Sequence, residues 1–268
     1  MINILILHYK EPKWMLERLL DSIATQRGVD FSKIHVRIAN DGNEVPISSF
    51  HDYPFQLCYT IEERQGTSKL RNLLIGDVPE DEFLWFLDSD DYLLPDRLAL
   101  LQDLTQRFEF DCLSMGVEKE LQNGTTHNWN PLKTSRSIVC SMIYKKSFIT
   151  RTQLYCADEF FLAGDIVLEQ LSKYYSNRTL NIELPIIHYS YNDDSVVRRQ
   201  QYNGWKEDRP KVLQYCIQKL LNDHLYKAAY LEFKMAITKY CSKTIHDKFE
   251  KTFRDLGLYE LSSKLDLR

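Results

Sequence analysis

Three carboxylates stand in a row where an apolar run ends. Phe83, Leu84, Trp85, Phe86 and Leu87 lead directly into Asp88, Ser89, Asp90 and Asp91. A short continuous apolar run of this kind fits a buried strand, so the sequence places concentrated negative charge at the rim of a sheet. Two chemistries suit such a rim. Asp and Ser are ordinary turn residues, and acidic groups near a helix start favour its dipole. Alternatively, hard divalent cations such as Mn²⁺ and Mg²⁺ choose oxygen ligands and keep several waters. They are often held by one or two carboxylates together with substrate phosphates. On this second reading the rim takes a metal-bound diphosphate.

Two more polar clusters follow apolar runs in the same manner. Asn3 to Leu7 reads as a strand that ends in His8, Tyr9, Lys10 and Glu11, and Ile34 to Ala39 alternates before stopping at Asn40, Asp41 and Gly42. Between them, Pro12 suits a first helical position, and Met15, Leu16, Leu19, Leu20 and Ile23 recur at helical spacing up to Gly28. A third strand is expected over Gln56 to Ile61, a polar loop through Gly66, and a short helix over about Ser68 to Ile75. Pro95 and Asp96 are expected to open a helix with Leu98, Leu101, Leu104 and Phe108 on one side. Strands alternating with helices predict an open, mainly parallel α/β sheet, in which ligands bind beyond the carboxyl ends of the strands. All three polar clusters would then gather at one edge.

Beyond Cys112 the pattern changes. Strands are expected over Cys112 to Val117 and Ile138 to Tyr144, separated by a polar loop from Gln122 to Arg136. A helix over about Asp165 to Tyr175 and a strand over Asn181 to Tyr189 follow. After Pro210 the chain reads as helical, with Leu213, Ile217, Leu220 and Leu221 on one face and Tyr226, Ala229, Tyr230, Phe233 and Ile237 on another. We therefore divide the chain into a body, residues 1–205, with halves 1–110 and 111–205, and a helical appendage, residues 206–268.

Composition fits a soluble globular protein: 268 residues, 44% hydrophobic and 27% charged. The net charge of −4 is unevenly spread. Residues 1–205 carry 21 Lys and Arg against 29 Asp and Glu, net −8, whereas residues 206–268 carry 13 against 9, net +4. The acidic body argues against an extended nucleic-acid footprint. The basic tail, with Trp205, Tyr226, Tyr230 and Tyr240, suits either a solvated helix face packed on the body or peripheral contact with an anionic membrane. The six cysteines form no C-x-x-C pair and no Cys/His metal spacing, as expected of reduced thiols in the cytoplasm. Ile2 to Leu7 is too short for a signal-peptide core and lacks a basic region before it. No stretch approaches the ~20 apolar residues of a membrane span.

The spaced motifs together resemble the family 2 nucleotide-sugar glycosyltransferases, which have the GT-A fold, a Rossmann-like mixed sheet flanked by helices. The matching elements are the opening strand into His8, Tyr9 and Lys10; the Asn40, Asp41, Gly42 turn; Gly66 followed by Arg71 and Asn72; and Leu87, Asp88, Ser89, Asp90, Asp91 with Pro95 after it. The likeness runs more loosely through Met142 to Phe148 and Gly164 to Leu171 and fades after Arg199. It implies a nucleotide-sugar site formed by His8, Tyr9, Glu11, Asp41, Arg71, Asp88, Ser89 and Asp90. Tyr9 would lie against the base and Asp41 would accept the uracil N–H. Arg71 would offer donors to base or phosphate. Asp88 would contact the ribose or the metal shell, and Asp90 would be the D-x-D carboxylate on Mn²⁺ or Mg²⁺.

Inverting members use a carboxylate near the start of a helix, usually an Asp preceded by Glu. The matching position here is Asp165, preceded by Gly164, with Asp158 and Glu159 as competitors and helix capping as the plain alternative. A second departure lies near Ser195. Relatives often place a metal-binding His shortly before that Ser, and Asn192 stands there instead, with His188 four residues earlier and Asp193 and Asp194 nearby. The resemblance implies an inverting transferase that moves a sugar from a UDP-linked donor to a glycan or lipid-linked glycan at the inner face of a bacterial membrane, in surface polysaccharide synthesis. Gly164 and Asn192 keep a second reading open, a catalytically silent nucleotide-sugar-binding scaffold. A sugar nucleotidyltransferase is disfavoured, since no Gly-rich basic loop follows the first strand.

Overall fold

The computed structural model describes residues 1–42, 52–130, 138–160, 163–193, 204–240 and 242–258, leaving aside the side chains of 204–207, 239 and 240. The chain forms two compact units, Met1–Tyr202 and Asn203–Arg268.

The first unit is organised by β1 (Ile2–His8), whose seven residues are all buried. β1 pairs in parallel with β2 (Ile34–Asp41) on one side and with β4 (Phe83–Asp88) on the other, and β2 pairs in parallel with β3 (Gln56–Glu62). Strand side chains alternate in direction, so Ile2, Ile4 and Ile6, Ile34, Val36 and Ile38, and Phe83, Trp85 and Leu87 share one face. Against that face lies α1 (Lys13–Ala24) with Leu16, Leu19, Leu20 and Ile23, all fully buried. Each such side chain contributes about 1.5–3 kcal/mol by leaving water, which makes this face the thermodynamic centre of the unit. Trp85 is also fixed by polar means, its indole N–H donating to the Cys140 carbonyl at 2.7 Å.

The sheet then turns mixed. Among the described residues it has nine strands, in the order β3-β2-β1-β4-β8-β6-β9-β5, with β7 on β6. These are β5 (Tyr92–Leu93), β6 (Cys112–Glu120), β7 (Thr126–Trp129), β8 (Met142–Lys145) and β9 (Thr179–Tyr189). β8 runs antiparallel to β4 and β6, while β9 runs parallel to β6 and antiparallel to β5. Helices α2 (Thr67–Gly76), α3 (Leu98–Arg107), α4 (Lys146–Thr152) and α5 (Asp165–Tyr175) complete the unit. This is the mixed, mainly parallel α/β sheet flanked by helices that the sequence led us to expect.

Several local expectations are corrected. The polar loop from Gln122 contains β7, closed on β6 by a turn in which Leu121 N–H donates to Thr125 O at 2.8 Å and Gly124 takes φ +76°. Only four residues long and polar, β7 offers no apolar alternation to read. Pro95 and Asp96 do not open a helix, because Asp96 is left-handed at φ +59° and is ion-paired with Arg27, and α3 begins at Leu98. Ile138 to Tyr144 is a single 3₁₀ turn, Val139–Ser141, followed by β8. Helix α4 and strand β5 were not foreseen.

The second unit consists of α6 (Gly204–Asn222), α7 (Tyr226–Tyr240) and α8 (Lys243–Asp255). α6 begins before Pro210 and runs across it, at the cost of one backbone donor. Phe253 is fully buried against Phe233, at 4.9 Å between ring centroids, and Tyr230, at 5.4 Å. Ser242 caps α8 by accepting the Ile245 N–H at 3.4 Å. No helix among the described residues is long and apolar enough to cross a membrane. Five described cysteines are free, of which Cys58 alone is exposed.

Candidate active site

Register places the chemistry. His8 stands beside Asn40 across β1 and β2, and Leu7 stands beside Asp88 across β1 and β4. The carboxyl ends of three parallel strands thus form one rim, and the sequence-predicted residues gather along it.

At the β1 end, His8 is buried, with Nδ1 3.3 Å from Ser89 Oγ and 3.5 Å from Glu11 Oε2. Ser89 donates to the same Glu11 oxygen at 3.2 Å, as does the Tyr9 backbone N–H at 2.7 Å. Glu11 therefore fastens the β1 loop to the β4 loop. Burial lowers the His8 pKa, partly opposed by the Glu11 charge. The Tyr9 ring has the Arg64 guanidinium 4.6 Å from its centroid and the Lys10 ammonium 5.3 Å away. Asp41, at the end of β2, accepts the backbone N–H groups of Gln65 and Gly66 on Oδ1, at 2.8 and 3.2 Å. Gly66 has φ +90°, a conformation that L side chains rarely adopt, and α2 begins at the next residue.

The acidic turn is crowded. Asp88 keeps 41% of its side chain open at the rim, yet enough protein surrounds it that burial pushes its carboxyl up to about 6 against the pull of Arg71. Burial also raises Asp90, opposed by the Asn192 amide, which donates to Oδ2 at 2.9 Å. Asp91 is raised well above the usual range by burial and then by the charges of Asp90 and Asp88. Its Oδ1 accepts the Ser190 N–H at 3.0 Å, while Oδ2 is buried without a partner. Asp91 is thus a bracket that ties the turn to the end of β9.

Arg71 is 4% exposed. Its Nη1 donates to Asp165 Oδ2 at 3.0 Å and its Nη2 to Asp88 Oδ1 at 3.3 Å. Sequence reasoning pointed these donors at a nucleotide, whereas both terminal nitrogens rest on carboxylates. Burial works against the Arg71 charge, but Asp165 and Asp88 outweigh it and raise its pKa. Asp165 is the first residue of α5, and its Oδ1 is buried with no hydrogen-bond partner. Its competitors Asp158 and Glu159 are exposed on a turn before α5.

Gly164 has a steric reason. A Cβ there would stand 2.2 Å from the Ala157 carbonyl oxygen and 2.4 Å from Ser68 Oγ. The position before Asp165 therefore excludes the Glu of the usual pair. Asn192 does reach the acidic turn, in the place where a histidine was sought. His188 does not, being occupied by Glu118 at 2.8 Å and Glu120 at 3.5 Å and stacked on Tyr92. Asp193 is exposed, and Asp194 and Ser195 lie outside the described residues, as do the side chains of Trp205 and Tyr240.

Arg18 was missed. From α1 it donates to the Asp90 carbonyl and, at 3.0 Å, to Ser190 Oγ, with its guanidinium 4.7 Å from the Tyr92 centroid. In sequence it is one more arginine on an amphipathic helix, with nothing to distinguish it.

Asp88 and Asp90 are the carboxylate donors this rim would offer a hard divalent cation. Among the described residues no group of three or more His, Cys, Asp or Glu side chains is placed to hold a metal ion. Asp88 and Asp90 nonetheless crowd negative charge at an open rim, as a cation shared with substrate phosphates requires.

Residues 3–166 match the family described as Glycosyl transferase family 2. Among curated proteins, the succinoglycan biosynthesis protein ExoW of Rhizobium meliloti (strain 1021) is 24% identical over 245 residues, covering 76% of this chain and 76% of that one. Among solved structures, S. aureus TarS 1-349 in complex with UDP-GlcNAc aligns at TM-score 0.69 and 17% identity over 82% of this chain and 66% of that one. The complex of the same fragment with UDP gives 0.66 and 16%, over 88% and 72%. The chain spans 65% of the TarS 1-349 structure without a named ligand, and 40% of the longer TarS structure. At these identities the structural likeness establishes the GT-A fold alone.

Proposed function

As this chain belongs to glycosyl transferase family 2, and is thereby a glycosyltransferase, we propose that it moves a sugar with inversion from a UDP-linked donor to a hydroxyl of a glycan or lipid-linked glycan. The reading is carried by one observation: Asp41, Asp88 and Asp90 end up on a single strand rim, with Asp165 joined to that rim through Arg71. UDP is favoured because two solved neighbours hold UDP or UDP-GlcNAc. A surface polysaccharide is favoured as the product because a curated relative is a succinoglycan biosynthesis protein.

The nucleotide base would lie on the Tyr9 ring, with the Asp41 carboxylate accepting the uracil N–H. His8, Glu11 and Ser89 would form the floor beneath the ribose and diphosphate. Asp88 and Asp90 would hold Mn²⁺ or Mg²⁺ with the diphosphate, and when bound the cation supplies positive charge against the departing phosphate oxygen. The reaction is a single displacement. The acceptor oxygen forms its bond to the anomeric carbon as the bond to the diphosphate oxygen breaks, and the acceptor proton passes to the Asp165 carboxylate. The basic second unit would hold the enzyme at the cytoplasmic face of the membrane through electrostatic contact.

Calorimetry with UDP and Mn²⁺, alongside UDP release in a donor screen, tests the assignments. Asp90→Ala should lose Mn²⁺-dependent UDP binding, and Asp165→Asn should keep it while losing turnover. Unchanged UDP release in the Asp90→Ala protein would refute the metal assignment, and retained configuration at the product's anomeric carbon would refute direct displacement.

A further inference from the structure

Helix α2 carries Ser68, Arg71 and Asn72 at spacing i, i+3 and i+4, which places them on one face. All three grip a single segment that lies some ninety residues further along the chain. Ser68 Oγ accepts the Gly164 N–H at 3.1 Å. Arg71 holds Asp165 Oδ2 at 3.0 Å. Asn72 makes a two-way bond with Cys156, donating from Nδ2 to its carbonyl at 2.8 Å and accepting its N–H on Oδ1 at 2.9 Å. Both ends of the loop before α5 are therefore pinned to one rigid element. The start of that element is set in turn by Asp41, through the Gln65 and Gly66 N–H groups.

We propose that this row, Ser68, Arg71 and Asn72, is a positioning device that sets the carboxylate of Asp165, and that Arg71 serves the base rather than the nucleotide. The inference rests on the reading of Asp165 as the base. Four facts carry it. Arg71 is nearly inaccessible, both of its terminal nitrogens are committed to carboxylates, and its Nε is buried as well. Arg71 holds Asp165 by Oδ2 at the first residue of α5, where the Asp165 side chain is only 14% exposed. Arg71 further spans the two halves of the chemistry, with Asp88 on the donor side and Asp165 on the acceptor side. Ser68 and Asn72 bind the backbone at Gly164 and Cys156, so the Arg71 contact with Asp165 is one of three made by the same helix face to this segment.

The test separates binding from turnover in the full chain, using UDP with Mn²⁺ as the binding probe and UDP release from the best donor in a thermal-shift screen as the turnover probe. Arg71→Met and Asn72→Leu should keep the UDP Kd within about threefold of wild type. Turnover at saturating donor should fall by about 10²-fold in Arg71→Met, the scale of an ångström-sized misplacement, and less in Asn72→Leu. Arg71→Lys, which keeps the charge but not the two-armed geometry, should recover part of the loss. Hydrogen exchange supplies a readout independent of activity: Asn72→Leu should speed exchange at Cys156 and Gly164 and leave β1 and β4 unchanged. A tenfold or greater loss of UDP affinity in Arg71→Met with normal saturated turnover would overturn the proposal, as would unaltered exchange at 156–164 in Asn72→Leu. Asp165→Asn distinguishes the two layers of argument. Full turnover in that variant defeats the base assignment, whereas an inactive Asp165→Asn beside a nucleotide-binding defect in Arg71→Met defeats the positioning row alone.

Discussion

Replacing Gly164 with Ala sets two effects of opposite sign against each other. Gly164 has φ −68° and ψ −21°, an ordinary helical conformation. On backbone grounds alone the substitution should stabilise the protein by about 0.4–1 kcal/mol, by restricting the unfolded chain. The methyl group, however, would arrive 2.2 Å from Ala157 O, 2.4 Å from Ser68 Oγ and 2.9 Å from Ser68 Cβ. Ser68 can rotate away by giving up its bond from Gly164 N–H. The Ala157 carbonyl is backbone, held by the Ala157 N–H bond to Gly164 O at 3.1 Å, and it must withdraw by roughly 1 Å to reach ordinary contact. Overpacking of this kind costs about 1–3 kcal/mol, and each hydrogen bond broken adds about 0.5–1.5 kcal/mol. The clash wins, with a net loss of about 2–4 kcal/mol. For a unit of this size that corresponds to a melting point lower by about 10 °C. Activity should fall further than stability, because the displaced residue adjoins Asp165. Differential scanning calorimetry with UDP-release kinetics would measure both, and Gly164→Ala combined with Ser68→Ala should recover only part, since Ala157 O is untouched. A Gly164→Ala protein that melts at or above the wild-type temperature with normal turnover would refute the steric reasoning, and Gly164→Glu should be worse than Gly164→Ala despite restoring the commoner residue pair.

Asn192→Ala should weaken Mn²⁺-dependent UDP binding by several-fold in calorimetry while leaving the fold intact, because the amide at 2.9 Å orients Asp90; an unchanged Kd would show that Asp90 needs no such support. Trp85→Phe keeps most of the buried ring but strands the Cys140 carbonyl, so chemical denaturation should show a loss of about 1–3 kcal/mol, and a loss under 0.5 kcal/mol would mean that the carbonyl finds water. Phe253→Ala should open a cavity among Tyr230, Phe233 and Phe249 costing about 3–5 kcal/mol. Limited proteolysis should then cleave within α6–α8 well before wild type does, and equal resistance would count against that aromatic cluster as the unit's core.

What the sequence revealed and what it concealed follow one physical division. The parallel strands β1 and β4 are almost wholly buried and nearly continuous in apolar residues, whereas β2 alternates His35 and Arg37 with buried Ile34, Val36 and Ile38. The ends of all three are marked by polar residues. Such elements are read directly, together with the rim they form and the residues His8, Asp41, Asp88 and Asp90 that stand on it. Elements fixed by tertiary partners were not legible. β5 is two residues long and exists because β9 passes beside it, and β7 is a polar strand whose pairing depends on β6. Asp96 looked like a helix start until its pairing with Arg27 held it in a left-handed turn.

The same division runs through the site itself. The residues on the rim belong to short local patterns, whereas several contacts that shape the site join residues 96 to 172 apart in sequence and follow no pattern at all. Arg18 with Ser190, Asn192 with Asp90, and Ser68 with Gly164 are of this second kind. Gly164 shows the consequence most clearly. Read along the chain, it is the loss of a carboxylate beside Asp165, and it counts toward a silent scaffold. In three dimensions it is the one residue small enough to let Ala157 and Ser68 close on the loop, so the same glycine becomes a condition for holding Asp165 in place. A departure from a family pattern is thus evidence about function only after its packing is known. Here the packing accounts for the glycine, leaving a family 2 glycosyltransferase with Asp165 held at its rim.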